Sequence, residues 1–383
     1  MSVTASAGFR AAGVAAGLKS SGRPDVAVLV NDGPIFAAAG VFTSNRVQAA
    51  PVVWSRQVLS DGVVRAVILN AGGANACTGP AGFQDTHLTA EHLAAALGVS
   101  ASDVAVCSTG LIGERLDMPA LLAGADTAVA DLCGEGGADA AAAILTTDSV
   151  AKTAVARRGG CTTGGMAKGA GMLAPGLATM LSVVTTDALA TPGQLDSALR
   201  AAVSSTFDRV DSDGCMSTND TVLLLASGAS GVEPAYGDLV DAVHEVCASL
   251  SRQLIADAEG ATKDIAIAVI GAADEPDALE VARAVARSNL LKCAVHGEDP
   301  NWGRVLSAVG TTSARFDPCR LGVSINGVQV CRDGAAYGDR AAVDMSARDV
   351  LITVDLGEGD ATATIWTNDL TAMYVHENSA YST

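Results

Sequence analysis

The chain has 383 residues, of which 49% are hydrophobic and 17% charged, so it can bury an extensive core and its composition disfavours disorder. Aromatic residues make up only 3%, whereas glycine occurs 41 times, which predicts an aliphatic core and many tight turns. The formal net charge of −18 would repel the phosphates of a nucleic acid, and no basic run offsets it. We therefore expect no nucleic-acid partner.

The cysteine and histidine patterns argue against a disulfide framework or a metal site. The nine cysteines are scattered without a CxxC pair, and the five histidines show no HExxH spacing. We therefore expect reduced, buried thiols and no bound metal. The N-terminal segment lacks a basic region followed by an apolar one, and no run of 18 apolar residues occurs, which predicts a cytoplasmic protein without a membrane partner.

The first half of the chain is predicted to alternate strands with helices. Its predicted elements are a β-hairpin over 25–42, a strand at 65–69, a helix at about 87–97, a strand at 103–107 and an alanine-rich helix over about 118–144. A glycine-dense stretch at 159–176 is then expected to form a loop that leads into a buried strand.

The second half continues with the same mixture and ends mostly in strands. Its predicted elements are strands at 180–185, 221–225 and 265–270, and helices opened by Thr191-Pro192, Asp238 and Pro276. Two hairpins are expected in the tail, one over 323–330 around an Asn-Gly turn and one joining 351–356 to 362–366. Hairpins mixed with helices favour α+β layers over a strict βαβ winding.

The glycine-rich loops do not match a nucleotide site. In the closest candidate, 164–169, Lys168 is followed by Gly169 instead of serine or threonine, and a strand follows where a phosphate-binding loop needs a helix. No GxGxxG motif lies between a strand and a helix with an acidic residue downstream. We therefore expect no nucleotide cofactor.

The strongest chemical signal is Thr179, at the start of a predicted buried strand and directly after a flexible glycine loop. Threonine is a poor nucleophile unless it becomes an N-terminal residue whose own amine serves as the base. A neighbouring cation such as Lys168 would lower the pKa of that amine toward the working pH. From the pattern alone, Thr179 also fits an ordinary strand residue, since threonine is common in strands.

Several sequence blocks, spread nearly end to end, resemble the ornithine acetyltransferase family. The blocks are GFRAAG at 8–13, NACTG at 75–79, STGLIG at 108–113, TTD at 146–148, GMAKGAGMLAP at 165–175, ATML at 178–181, DG at 213–214, STNDT at 217–221, EGATK at 259–263, DPNWGR at 299–304 and NSAYST at 378–383. Their number, length and common order make the similarity specific.

The resemblance implies self-cleavage between Ala178 and Thr179, which gives chains 1–178 and 179–383. Thr179 would then be the nucleophile, its freed amine the base, and Thr109 and Gly110 the oxyanion hole. The implied reaction is a ping-pong transfer of acetyl from N-acetylornithine to glutamate, without a cofactor. Acetyl-CoA would be a further substrate if the protein were bifunctional, because some members of the family also accept it.

The family's substrate contacts match Thr146, Lys168, Thr179, Glu259, Asn378 and Thr383, although the adjacent Thr147 is an equal candidate for the first position. Lys168 suits a carboxylate and Glu259 an ammonium, as a pocket shared by glutamate and ornithine requires. As isolated charges, both residues would also fit an ordinary surface.

The implied fold is an αββα sandwich, with two stacked sheets between helices, plus a smaller α/β lobe. We place the sandwich at 1–234 with 346–383 and the smaller lobe at 235–345. The family implies a heterotetramer of two α and two β chains made by cleavage. Two alternatives remain: a self-cleaving aminopeptidase or amidase of related fold, which uses water as the acceptor, and a catalytically silent assembly protein.

Overall fold

The structure is a computed structural model that describes residues 2–174 and 180–380. The strands are β1 (Phe9–Val14), β2 (Val26–Asn31), β3 (Ala37–Phe42), β4 (Ala66–Asn70), β5 (Val104–Ser108), β6 (Lys152–Arg158), β7 (Cys161–Lys168), β8 (Leu181–Thr186), β9 (Thr221–Ala226), β10 (Asp264–Ala272), β11 (Gly322–Ile325), β12 (Val328–Arg332), β13 (Ala335–Ala336), β14 (Asp349–Asp355) and β15 (Ala361–Asn368). The helices are α1 (Ala50–Val58), α2 (Gly79–Leu97), α3 (Met118–Ala130), α4 (Gly137–Ala143), α5 (Pro192–Ser205), α6 (Tyr236–Ala256), α7 (Glu275–Ala286), α8 (Asn289–His296), α9 (Trp302–Val309) and α10 (Ala372–Ala380). None of the described helices is long and apolar enough to cross a membrane.

The described chain divides into two units. The first runs through Asp208 and resumes over Cys215–Asp257, whereas the second takes Arg209–Gly214 and the chain from Ala258 onward. These bounds differ from the lobes expected above. The helix α6 packs on β6 and β7 in the first unit, and β14 and β15 pair with β10 in the second.

The first unit is an αββα sandwich, as the sequence resemblance implied. Its two sheets have the strand orders β1-β2-β4-β5 and β3-β9-β8-β7-β6. Apolar side chains of both sheets, such as Leu29 and Leu69 from one and Leu181 and Val183 from the other, form a core between them. The helices α2 and α3 cover the outer face of the first sheet, and α5 and α6 cover that of the second.

The expected hairpin over 25–42 is wrong, because its two strands belong to different sheets. The strand β2 pairs with β1 and β4, whereas β3 pairs with β9. The Asn31 side chain holds the segment that passes from β2 in one sheet to β3 in the other. Its Nδ2 donates to the carbonyls of Ile35 (3.1 Å) and Ala226 (3.0 Å), and its Oδ1 accepts from Gly33 N (3.0 Å).

The glycine-dense stretch forms strand for much of its length. The turn at Gly159 and Gly160 has φ values of 56° and 78°, which glycine adopts readily, and it joins β6 to β7. A Cβ on Gly164 would lie 2.3 Å from Ser2 O, and one on Gly165 would lie 2.7 Å from Val246 Cγ1. Glycine therefore serves close packing on both faces of β7.

The alanine-rich segment also departs from the prediction, since α3 and α4 are separate helices. The chain between them pairs with β1: the amide of Ala11 donates to Cys133 O (3.0 Å), and the amide of Cys133 donates to Ala11 O (3.1 Å).

All nine cysteines lie in the described part of the chain, and none forms a disulfide. The expectation that they are buried is wrong for five of them. The exposed cysteines are Cys77, Cys133, Cys215, Cys293 and Cys319.

The second unit is a smaller α/β layer built on a sheet of order β13-β12-β11-β14-β10-β15. The helices α7, α8 and α9 contribute to its core. The Asn-Gly hairpin is confirmed, with φ of 48° at Asn326 and 81° at Gly327 joining β11 to β12. The hairpin expected from 351–356 to 362–366 is wrong, because β10 lies between β14 and β15 and pairs with both.

Candidate functional site

The candidate site of the first unit lies where β7 ends and β8 and β9 begin. Lys168 pairs with Leu181 in the register of β7 and β8, and Leu181 pairs with Thr221 in that of β8 and β9. The Met180 amide donates to Asp220 Oδ1 at 2.9 Å. The start of β8 is therefore flanked by the end of β7, which carries Lys168, and by the buried Asp220 that precedes β9.

Lys168 connects this edge to the loop that follows β5 in the other sheet. Its side chain is buried, and its Nζ lies 3.2 Å from Thr109 Oγ1. The backbone amide of Thr109 is used elsewhere, because it donates to Asn70 O (2.9 Å). The contact of Thr109 with the lysine is therefore made by its side-chain hydroxyl. Gly110 has φ of 131°, and a Cβ there would lie 2.8 Å from Gly73 N. This loop therefore requires glycine directly after Thr109.

Asp148 joins three of the surrounding segments through one buried carboxylate. Its Oδ1 accepts from Gly169 N (2.6 Å) and Lys152 Nζ (2.7 Å), and its Oδ2 accepts from Thr146 N (3.0 Å). Burial raises the pKa of Asp148, but the positive charges of Lys168 and Lys152 outweigh it and hold the pKa at about 2. Asp148 is therefore ionised and fixes Thr146 beside the end of β7.

Asp220 is the second buried carboxyl group at this edge, and its surroundings differ from those of Asp148. Its Oδ2 has no hydrogen-bond partner in the described part of the chain. Burial raises the pKa of Asp220 well above its ordinary value, while the Met180 amide and the charge of Lys168 oppose that shift. Hydrogen bonding from the side chain and the backbone of Ser217 opposes the raised pKa more weakly.

The second unit brings together two other residues that the resemblance singled out. Asn378, on α10, donates from Nδ2 to Glu259 Oε2 at 2.9 Å. The turn after Glu259 packs tightly on α10, because a Cβ on Gly260 would lie 2.3 Å from Tyr374 N. A cavity of about 330 Å³ adjoins the pair, and its lining includes Glu259, Arg287, Lys292, Asp369 and Tyr374.

The structure therefore places six of the expected residues in two groups. In the first unit, Lys168 contacts Thr109, Gly110 follows Thr109, and Asp148 links Thr146 to Gly169 at the end of β7. In the second unit, Asn378 contacts Glu259. Ala178, Thr179 and Thr383 lie outside the described residues. Sequence reasoning did not assign roles to Asp148 and Asp220. Their only signal was their place in the short TTD and STNDT blocks, which reveals neither burial nor partners.

Comparisons with known proteins identify the chain's relatives. The ArgJ family model matches residues 10–383. The arginine biosynthesis bifunctional protein ArgJ of Streptomyces coelicolor is 66% identical over the whole of both chains. Its counterpart in Mycobacterium tuberculosis is 59% identical over 99% of this chain and 96% of that protein. A crystal structure of M. tuberculosis ornithine acetyltransferase complexed with ornithine is 57% identical, covers 47% of this chain and 96% of that one, and has a TM-score of 0.43.

These relatives show that the protein is an acyltransferase of arginine biosynthesis. More particularly, the chain belongs to the ArgJ family, over nearly its whole length.

Proposed function

We propose that the protein transfers the acetyl group of N2-acetylornithine to L-glutamate through an acetyl-Thr179 intermediate. The observation that carries the proposal is the buried contact between Lys168 Nζ and Thr109 Oγ1, 3.2 Å long. Lys168 pairs with Leu181 at the start of β8, so a cation and a hydroxyl lie beside the strand that begins two positions after the proposed nucleophile in sequence.

Self-cleavage would prepare this nucleophile. The Thr179 hydroxyl attacks the Ala178 carbonyl, the peptide bond breaks, and the resulting ester is hydrolysed by water. The products are chains 1–178 and 179–383, and the freed Thr179 amine becomes the base for its own hydroxyl. The positive charge of Lys168 favours the unprotonated amine, since a nearby cation lowers the pKa of an amine.

In turnover, Thr179 Oγ attacks the acetyl carbonyl while its proton moves to the amine. The Thr109 hydroxyl and the Gly110 amide are the proposed donors to the oxyanion that develops. The amine then returns the proton to the departing nitrogen, and ornithine leaves. The α-amine of glutamate attacks the acetyl-enzyme in a second, equivalent half-reaction, which makes the scheme ping-pong.

The charged and polar contacts suit two amino-acid substrates. Glu259, oriented by its hydrogen bond from Asn378, is the proposed partner of the ornithine ammonium. Lys168 is the proposed partner of a substrate carboxylate, with Thr146 and Thr383 as further contacts. No cofactor takes part, and acetyl-CoA is a second acetyl donor if the protein is bifunctional. The cleaved chains are proposed to assemble as a heterotetramer of two α and two β chains.

The test combines intact-mass spectrometry under denaturing conditions with a glutamate-dependence assay. The expected result is two chains, with Thr179 at a new N-terminus, and acetyl transfer that requires glutamate. Thr179→Ala should remain a single inactive chain, whereas Thr191→Ala, which removes only the N-cap of α5, should cleave and react normally. Deacetylation that proceeds at the same rate without glutamate would instead identify a hydrolase, and an active single chain would refute the N-terminal threonine.

A further inference from the structure

The cavity beside Glu259 contains a positive charge that the proposed mechanism does not use. The cavity lies within the second unit, and its lining carries both signs of charge. Its volume of about 330 Å³ is near the lower end of the range of about 300–1,000 Å³ that is typical of small-ligand sites. We propose that Arg287 in this cavity binds the side-chain carboxylate of glutamate and so selects for an acidic acetyl acceptor. The inference rests on the proposed function and makes Arg287 a specificity-determining residue.

The two proposed substrates differ at the far end of their side chains. Both carry an α-carboxylate, but N-acetylornithine ends in an ammonium group and glutamate ends in a second carboxylate. Glu259 is the proposed partner of the ammonium group, and it would repel a carboxylate in the same place, because like charges repel most strongly where little water screens them. A cavity that accepts both side chains therefore needs a positive group in addition to Glu259.

The Arg287 side chain is oriented by a buried carboxylate. Arg287 is the C-cap residue of α7, and its Nε donates to Oδ2 of the buried Asp211 at 2.7 Å. A Cβ on Gly214 would lie 3.7 Å from the same Nε, so the guanidinium group lies against this glycine of the cavity lining. Burial raises the pKa of Asp211, and the charge of Arg287 opposes that shift. The ion pair thus orients the guanidinium group before any substrate binds.

The remaining donors of Arg287 are available to a ligand. The side chain is 48% exposed, and its two Nη groups donate to no acceptor in the described part of the chain. Among the same residues Arg287 forms no ion pair with Glu259, so direct contact does not cancel either charge. Two Nη groups in one plane suit the two oxygens of a carboxylate.

The other charged residues that line the cavity are already engaged. Lys292 is buried, and its Nζ donates to Ser212 O. The negative charge of Asp213 also acts on Lys292, where it opposes the lowering of the lysine pKa by burial. Asp369 is buried as well and accepts hydrogen bonds from the amide (2.8 Å) and the hydroxyl of Thr262. This leaves the guanidinium group as the cation for an anionic ligand.

The test is Arg287→Met in the full chain, with the two half-reactions assayed separately. In a ping-pong scheme, kcat/KM for each substrate depends only on the half-reaction of that substrate. The variant should lower kcat/KM for glutamate at least about tenfold, because a charge-assisted contact is lost, and should leave kcat/KM for N-acetylornithine within about twofold of the wild type. The preference for glutamate over glutamine, which has a neutral amide in place of the carboxylate, should fall by the same factor as kcat/KM for glutamate.

Arg320→Met is the matched control. Arg320 is an exposed arginine of the same unit that pairs with Glu358 at 3.5 Å, and it lies outside the cavity lining. Its variant should keep kcat/KM for both substrates and the preference for glutamate. The comparison separates the loss of a charge in the cavity from the general loss of an ion pair.

Each outcome decides the inference. An R287M enzyme that keeps its preference for glutamate over glutamine overturns it, and so does one in which both kcat/KM values fall equally. If R287M does not fold because Asp211 is left buried without its partner, the double variant Asp211→Asn with Arg287→Met carries the same comparison. A wild-type protein that transfers no acetyl group to glutamate refutes the proposed function first, and the inference falls with it.

Discussion

The Nζ of Lys168 lies 3.2 Å from the Oγ1 of Thr109, although the two residues are 59 positions apart. Lys168 ends β7 of one sheet, and Thr109 directly follows β5 of the other. The contact joins the two layers of the sandwich at one point, where a buried cation meets a hydroxyl. The sequence resemblance singled out both residues, so this edge is the focus of the experiments below.

Lys168 and Lys152 are both buried, but we expect opposite consequences from their loss. Lys168→Met should reduce acetyl transfer by at least about 100-fold, because the site loses its cation. Lys152→Met should chiefly lower the free energy of unfolding, by about 3–5 kcal/mol, because Asp148 and Asp257 both lose the ammonium group that they share. Initial rates and denaturant midpoints separate the two effects, and a fully active K168M would contradict the proposed site.

The buried Asp148 predicts a specific loss of stability in acid. Its folded pKa of about 2 lies below the ordinary aspartate value near 3.9, so its contribution is complete above about pH 5 and disappears as the pH falls toward 2. The contribution at neutral pH is about 2 kcal/mol. Unfolding free energies of the wild type and Asp148→Asn should therefore converge in acid. Curves that stay parallel from pH 7 to pH 2 would refute the ionised, paired state.

Close packing on β7 predicts that Gly164 does not accept a methyl group. Gly164→Ala should destabilise the protein by about 1–3 kcal/mol, because its Cβ would lie 2.3 Å from the Ser2 carbonyl oxygen. Gly193 is the matched control, since a Cβ there meets nothing within 4 Å and its variant should change stability by less than about 0.5 kcal/mol. Equal thermal midpoints for the two variants would show that β7 does not pack as described.

The proposed contact of Glu259 with the ornithine ammonium predicts that its loss affects one substrate only. Glu259→Gln should raise the KM for N-acetylornithine about tenfold, by removing a charge-assisted contact to the ammonium, while self-cleavage stays normal. Glu280→Gln is the control in the same unit, because Glu280 caps Ser313 N (2.7 Å) on the surface. An unchanged KM in E259Q would remove Glu259 from the substrate contacts.

Features that depend on neighbours along the chain were predictable from the residues. Thr191-Pro192 opens α5 as expected, with the Thr191 hydroxyl accepting from Gln194 N (3.3 Å) in a complete capping box. The Asn326-Gly327 turn and the buried strand β8 were also predictable, because turn chemistry and apolar runs act over a few residues. The αββα sandwich came only with the family resemblance.

The sequence by itself determined the local elements, the family, and through the family the residues worth testing. The tertiary structure alone decided that β2 and β3 enter different sheets, that β10 separates β14 from β15, and that Asp148 and Asp220 are buried beside Lys168. The physical reason is range: a turn or a cap is stabilised by adjacent residues, whereas strand partners and the burial of a charge depend on segments that only folding brings together.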